Sequence, residues 1–225
     1  MTAHLRQAPA GSGREGAAAA ALAALAIVAA ALVWWLASEV DGRALAGLDR
    51  DGFELDADIR TGWLTGVVKI LTNLGSSVVM GPILLVTIAW LLRNHRRVEA
   101  AALGLGGLVV FVAVHVLKAG IDRPRPAAPL AHTTLASFPS GHAAYSVCFV
   151  AIAFVLAGGM PRPRAFATGV LAVLLVLIVG FTRIYLRAHY VTDVLGGWAL
   201  GLSCFAGPLA GGIAVSRMRH NARSS

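Results

Sequence analysis

The stretch Thr182-Arg183-Ile184-Tyr185-Leu186-Arg187-Ala188-His189-Tyr190-Val191-Thr192-Asp193 interrupts two long apolar runs. Charged side chains between such runs are costly and are usually kept for function. On a helix, His189 and Asp193 would share a face, one turn apart. A carboxylate so placed can hold an imidazole in one tautomer and stabilise its cationic form. Arg183, six residues before His189, can reach the same point from the end of the preceding helix. An anion clamp, a histidine and an orienting acid form a reactive set. A loop with ordinary interfacial charges is the plainer alternative, and the stretch alone serves both.

The flanking runs set the fold class. The chain has 225 residues, 57% of them hydrophobic and only 13% charged, with a mean hydropathy of +0.74. A soluble domain carries about 25% charged residues, so a polytopic membrane protein is expected. The expectation is an all-α, six-span transmembrane bundle, with spans at 17–37, 72–92, 100–120, 140–158, 166–185 and 191–215. Six spans of ~20 residues fill over half the chain and leave no room for a separate soluble domain. The domain reading is a flexible cytoplasmic tail at 1–16, a membrane domain at 17–216 and a basic cytoplasmic tail at 217–225. The first apolar run exceeds the apolar core of a signal peptide, about 7–15 residues. It ends in Trp34-Trp35 and reads as a retained span.

The net charge of +8 invites a nucleic-acid reading. The distribution speaks against it, because the basic residues cluster in short loops between apolar runs. Arg93, His95, Arg96 and Arg97 form one such loop, and Arg162 and Arg164 form another. The positive-inside rule makes these loops and both termini cytoplasmic. The expected location is the cytoplasmic membrane, with loops 38–62, 121–139 and 186–190 outside. Residues 38–62 hold seven of the eleven acids and read as a solvated face, without clean metal-ligand spacing. Cys148 and Cys204 fall inside spans and read as small apolar fillers. His115 reads as a hydrogen-bonded interior histidine. Gly197/Gly201 and Gly207/Gly211 have the spacing that lets helices approach closely.

Two further stretches bear on the site. One is Lys118-Ala119-Gly120-Ile121-Asp122-Arg123-Pro124-Arg125-Pro126, and the other is Pro139-Ser140-Gly141-His142. With Arg183, His189 and Asp193, they resemble the signature of the phosphatidic acid phosphatase type 2 superfamily. That signature is a Lys, six residues and Arg-Pro; then Pro-Ser-Gly-His; then Ser-Arg, five residues, His, three residues and Asp. Thr182 stands where the pattern usually has Ser, which keeps the hydroxyl. The match covers residues 118–193. All three stretches fall on the predicted outer side, as the parts of one site must.

The residue chemistry suits a phosphoryl group. Lys118, Arg125 and Arg183 supply cations, and arginine can bind two phosphate oxygens at once. Pro139-Ser140-Gly141-His142 opens a helix, whose amides and positive dipole end attract anions. Ser140 suits the N-cap and can donate its hydroxyl, while Gly141 lets a phosphate approach the backbone. Arg123-Pro124-Arg125-Pro126 contains two registers; the six-residue gap from Lys118 selects Arg125 and leaves Arg123 as a rim charge. The resemblance implies that His189, oriented by Asp193, is the nucleophile and that His142 is the general acid. With no carboxylate cluster nearby, no metal and no cofactor are expected.

The function expected is a metal-independent membrane phosphatase acting on a lipid phosphate or lipid diphosphate. Polyprenyl diphosphate, phosphatidic acid and phosphatidylglycerol phosphate are the candidates, with membrane lipids as the surroundings. A phosphotransferase would use the same site. A non-enzymatic anion transporter would carry its charges at mid-span depth, whereas these lie at span ends. Vanadium-dependent haloperoxidases, which the family resembles, are not built from six apolar spans.

Overall fold

The structure is a computed structural model. It describes residues 10–40, 42, 45–131, 133 and 135–224, excepting the side chains at 10–12, 54–59 and 223–224. Residues 1–9 of the expected tail, and Asp41 of the acidic loop, lie outside the described residues, as do the side chains of Glu54, Asp56 and Asp58.

The described residues form helices and no strand. In chain order these are α1 (Ala10–Glu39), α2 (Ala46–Ile59), α3 (Gly62–Leu71), α4 (Ser77–Arg93), α5 (Arg97–Ile121), α6 (Gly141–Ser146), α7 (Cys148–Ala157), α8 (Arg162–Tyr185) and α9 (Val191–Ser224). A 3-10 turn, Thr72–Gly75, joins α3 to α4. Local chemistry explains several boundaries. Ser76 caps α4 by accepting from the Val79 amide at 3.3 Å, which satisfies an otherwise orphaned donor. Pro161 and Pro163 bracket the start of α8, where a missing N–H costs nothing.

Four helices, α1, α5, α8 and α9, are long and apolar enough to cross a membrane. A fifth span arises if α3 and α4, bent by 43° at their junction, count as one. The run expected as span four is instead 17 residues of shorter apolar helix, Gly141–Ala157, interrupted at Val147. No glycine or proline announces that break, so an unbroken span was the natural expectation.

The surface is apolar where a soluble protein's would be polar. Ile27, Val28, Leu85, Val86, Leu108, Val116, Phe166 and Leu171 are exposed on the outside of the helices. Such extended apolar exposure fits a bilayer. The interior is built from smaller contacts. Leu103, Val110 and Val114 of α5 meet Ala144 of α6, Val147 at the break, Cys148 and Ala151 of α7, and Leu200, Cys204 and Phe205 of α9. Both cysteines are free and buried.

Glycine in α9 decides how close the site-bearing segment can come. A Cβ on Gly197 would lie 2.4 Å from the Ser140 carbonyl oxygen, and one on Gly201 would lie 2.5 Å from that of Ala144. The Gly197/Gly201 pair is thus the seat of α6. Gly211 meets nothing within 4 Å, so the second expected pair does not act alike. His115 Nδ1 donates to the Phe111 carbonyl, 2.8 Å away. It lies on the exposed side of α5, which corrects the interior placement.

Helix α4 runs away from the 3-10 turn to Arg93, and α5 returns from Arg97 to Lys118. Arg96 donates to the Val155 carbonyl at 2.8 Å, and Gly16 of α1 lies against Arg217 of α9. The basic loops therefore gather at one end of the bundle, and the three sequence motifs at the other.

Candidate active site

Lys118 lies in the last turn of α5 and is buried; its Nζ donates to the carbonyls of Ala136 at 2.5 Å and Ser137 at 3.2 Å. Asp122 closes α5 in the left-handed region, φ 48°, a conformation that aspartate tolerates better than most residues. The described residues that follow, 123–131, 133 and 135–140, form coil. There the Ser137 amide donates to the Arg123 carbonyl at 2.8 Å, folding the coil back on itself.

Arg125 projects from this coil toward His189. Its Nε donates to the Leu135 carbonyl at 2.5 Å, Nη1 to the Ala188 carbonyl at 2.6 Å, and Nη1 stands 3.3 Å from His189 Nε2. Burial holds its pKa below the usual arginine range, against the opposing charge of Asp193. Arg183, near the end of α8, donates from Nη1 to Thr72 Oγ1 at 2.8 Å. Thr182 turns its hydroxyl back to the Val179 carbonyl at 2.6 Å, so here it serves its own helix.

His189 is 2% exposed. Its amide, at 3.2 Å, and that of Ala188, at 3.1 Å, donate to the Arg183 carbonyl, pinning the short loop between α8 and α9. Arg187 takes φ 48° there. His189 precedes α9, while Asp193 lies in its first turn. The two meet because Asp193 Oδ2 reaches back to accept the Tyr190 amide at 2.9 Å, the gesture of an N-terminal capping acid. His189 Nδ1 lies 3.4 Å from Asp193 Oδ2; the contact is close enough to be ionic but is not aligned as a hydrogen bond. Burial pushes the His189 pKa down to about 3, with Asp193 pulling the other way.

Ser140 occupies the N-cap position of α6, but its side chain makes no cap bond. Its amide donates to the Asp193 carbonyl at 2.9 Å, tying the second motif to the third. His142, one residue into α6, lies within electrostatic reach of Arg183, His189, Arg125 and Lys118. Three buried polar atoms of this cluster lack a hydrogen-bond partner among the described residues: Ser140 Oγ, Arg183 Nε and His189 Nδ1. A buried polar atom left unpaired costs about 1–3 kcal/mol, and such exceptions call for an explanation in ligand or catalysis.

The motif of Lys118 and Arg125, that of Ser140, Gly141 and His142, and that of Arg183, His189 and Asp193 thus converge on one point. In the PAP2 superfamily, one family description matches residues 99–219, more than half of the chain. The chain belongs to the PAP2 superfamily. It is 34% identical over 178 residues to phosphatidylglycerophosphatase B of Bacillus subtilis (strain 168), covering 76% of this chain and 86% of that protein. The fold superposes on the crystal structure of the first transmembrane PAP2 type phosphatidylglycerolphosphate phosphatase from Bacillus subtilis. There the TM-score is 0.76 at 29% identity, covering 85% of this chain and 96% of that one. Aquifex aeolicus LpxE is also similar, with a TM-score of 0.57 at 28% identity over 70% of this chain and 92% of that one.

Within this PAP2 chain two sequence expectations change. Arg123 is not a rim charge. It is 8% exposed and bridges two acids, Asp193 Oδ1 at 2.6 Å and Asp49 Oδ2 at 2.8 Å. Its guanidinium also lies over the Tyr190 ring, 4.1 Å from the centroid. Burial lowers its pKa, but Asp193 and Asp49 more than offset this and hold it above the usual range. Asp49 is not part of a solvated face either; it is 5% exposed. Sequence reasoning also passed over Ser137, whose Oγ donates to Asp193 Oδ2, and Thr72, the partner of Arg183. The signal for Arg123 was present in the doubled Arg-Pro; the others had no local mark.

Proposed function

We propose that this protein is an integral-membrane lipid phosphatase that works through a phosphohistidine, with phosphatidylglycerol phosphate as the lead substrate. The observation that carries the reading is the set of unpaired buried atoms, Ser140 Oγ, Arg183 Nε and His189 Nδ1, in a cluster with three cations. That set suits a tetrahedral anion. The substrate choice follows the names of the Bacillus subtilis relatives.

In this reading Lys118, Arg125 and Arg183 neutralise the phosphoryl oxygens, and the Ser140 hydroxyl donates to one of them. His189 Nε2 attacks phosphorus, and its Nδ1 proton faces Asp193, which stabilises the imidazolium as charge develops. The P–O bond to the lipid glycerol breaks, and His142 gives that oxygen its proton. His142, now neutral, takes a proton from water, whose oxygen attacks the phosphohistidine and releases inorganic phosphate. Three cationic side chains do the electrostatic work, so the chemistry proceeds without a metal.

Six crossings remain the proposed topology, with both termini cytoplasmic and the site outside. Gly141–Ala157, at 17 residues, is roughly 25 Å long at 1.5 Å per residue, close to the ~30 Å hydrocarbon core. The bent α3–α4 pair supplies another crossing. The basic loops at the end opposite the motifs support the sidedness.

The test is phosphate release by purified protein in detergent, in EDTA. Short-chain phosphatidylglycerol phosphate, phosphatidic acid and a polyprenyl diphosphate are compared by kcat/KM. The first is expected to be hydrolysed fastest, with vanadate inhibiting. A strict magnesium requirement would sink the mechanism, and a preference for the diphosphate would replace the substrate.

A further inference from the structure

Asp49 sits in α2, far from the three motifs in sequence, yet both of its carboxylate oxygens are committed to the start of α9. Oδ1 accepts the Thr192 amide at 3.0 Å. Oδ2 accepts the Thr192 hydroxyl at 3.0 Å and Arg123 Nη2 at 2.8 Å. Arg123 Nη1 in turn donates to Thr192 Oγ1 at 2.8 Å and to Asp193 Oδ1 at 2.6 Å. Asp193 Oδ2 is thereby left to Ser137, the Tyr190 amide and the side of His189. All three charged groups, Asp49, Arg123 and Asp193, are buried.

We infer that Asp49 is a positioning residue for the phosphatase reaction, acting through Arg123 and Thr192 to set the Asp193 carboxylate against His189. The inference rests on the reading of this chain as a phosphatase. Two physical effects support it. First, Thr192 carries one of the backbone amides that a helix start leaves unpaired, and Asp49 satisfies it. Asp49 therefore fixes the same turn that carries Asp193. Second, a buried guanidinium needs its charge met on both sides. With Asp49 in place, Arg123 is held between two carboxylates over the Tyr190 ring and engages only Oδ1 of Asp193. Without it, Asp193 is the sole carboxylate left to Arg123 among the described residues, and the guanidinium can turn to take both oxygens. Oδ2 would then be drawn from His189, and the imidazolium that forms during attack would lose its support.

The experiment uses the full chain purified in detergent, with short-chain phosphatidylglycerol phosphate and phosphatidic acid as probes. If the wild type releases phosphate from no lipid phosphate, the phosphatase reading fails and takes this inference with it. If the wild type is active, Asp49→Asn should lower kcat by about ten- to a hundredfold with KM unchanged, because binding cations are untouched. Asp49→Glu should recover part of the loss. In an Arg123→Ala background, Asp49→Asn should cost less than it does alone, since the path through Arg123 is already cut and only the one through Thr192 remains. Unchanged kcat, or a loss confined to KM, would overturn the inference while leaving the phosphatase reading standing. Equal losses in the Asn and Glu variants, tracking a lowered melting temperature, would also overturn it. Should Asp49→Asn not elute as folded protein, Thr192→Val removes the hydroxyl shared by Asp49 and Arg123 without altering any charge. A lowered kcat at constant KM there supports the inference, and wild-type kcat refutes it.

Discussion

Nη1 of Arg125 stands 3.3 Å from Nε2 of His189. A guanidinium nitrogen can only donate, so Nε2 holds the lone pair and the proton belongs on Nδ1, toward Asp193. This is the tautomer a nucleophile at Nε2 requires. His189→Ala should therefore abolish turnover for every substrate. His142→Ala should cost on the order of 10²–10⁴ in rate on a lipid phosphate, and far less on a nitrophenyl phosphate, whose leaving group needs no proton. Rate ratios on the two substrates check this. Equal losses for His142→Ala would make His142 a phosphate ligand instead of the acid.

Burial of neutral His189 gives the fold an acid sensitivity. Its native pKa is pushed down to about 3, while an unfolded histidine titrates near 6.5. Between these values the unfolded chain takes up a proton that the native state refuses. The associated stability is complete above about pH 6.5 and is lost on acidification by up to about 1.4 kcal/mol per pH unit. The melting temperature in detergent should fall with pH in the wild type, and less steeply in His189→Asn. Parallel curves would place the acid sensitivity in another group.

Sidedness can be read by labelling. Ala127 is exposed on the coil that follows α5, and Pro163 is exposed at the start of α8. A cysteine at Ala127 should react with an impermeant reagent in intact cells, and one at Pro163 should react only after lysis. The reverse pattern would turn the site inward.

Gly197 carries the approach of α6 to α9. A methyl group there would meet the Ser140 carbonyl oxygen at 2.4 Å and the Ala143 side chain at 2.9 Å. Backbone cannot yield as a flexible side chain can, so Gly197→Ala should destabilise by about 1–3 kcal/mol. It should also depress kcat, because Ser140 and His142 move with the segment. Gly211→Ala, which meets nothing, is the matched control. Thermal melts and phosphate release on the two variants decide it.

The site was legible where its chemistry is local. Lys118 with Arg125, Ser140 with His142, and His189 with Asp193 each sit within a few residues, at spacings a reader can measure. Arg183 was legible as a cation, but its anchor at Thr72 was not, because that pairing spans 111 residues and leaves no periodic trace. Asp49 was hidden for the same reason. Among seven acids in one loop nothing distinguishes the one that folds inward, and acids there are normally solvated. The choice between Arg123 and Arg125 could be made from spacing, but the structure assigns the unchosen one a buried bridge. The helical class was legible from hydropathy, whereas the break at Val147 lies inside an uninterrupted apolar run.

Lys118 and Arg125 spend their hydrogen bonds on the carbonyls of Leu135, Ala136, Ser137 and Ala188. Those four oxygens act as an internal rival to any phosphate. In the proposed reaction an arriving monoester must win the cations from them, and the orthophosphate left after cleavage must keep them against the same rival. On that proposal the site would clear its own product: as the phosphate lets go, the main chain would take back the donors. Inorganic phosphate should accordingly be a feeble inhibitor.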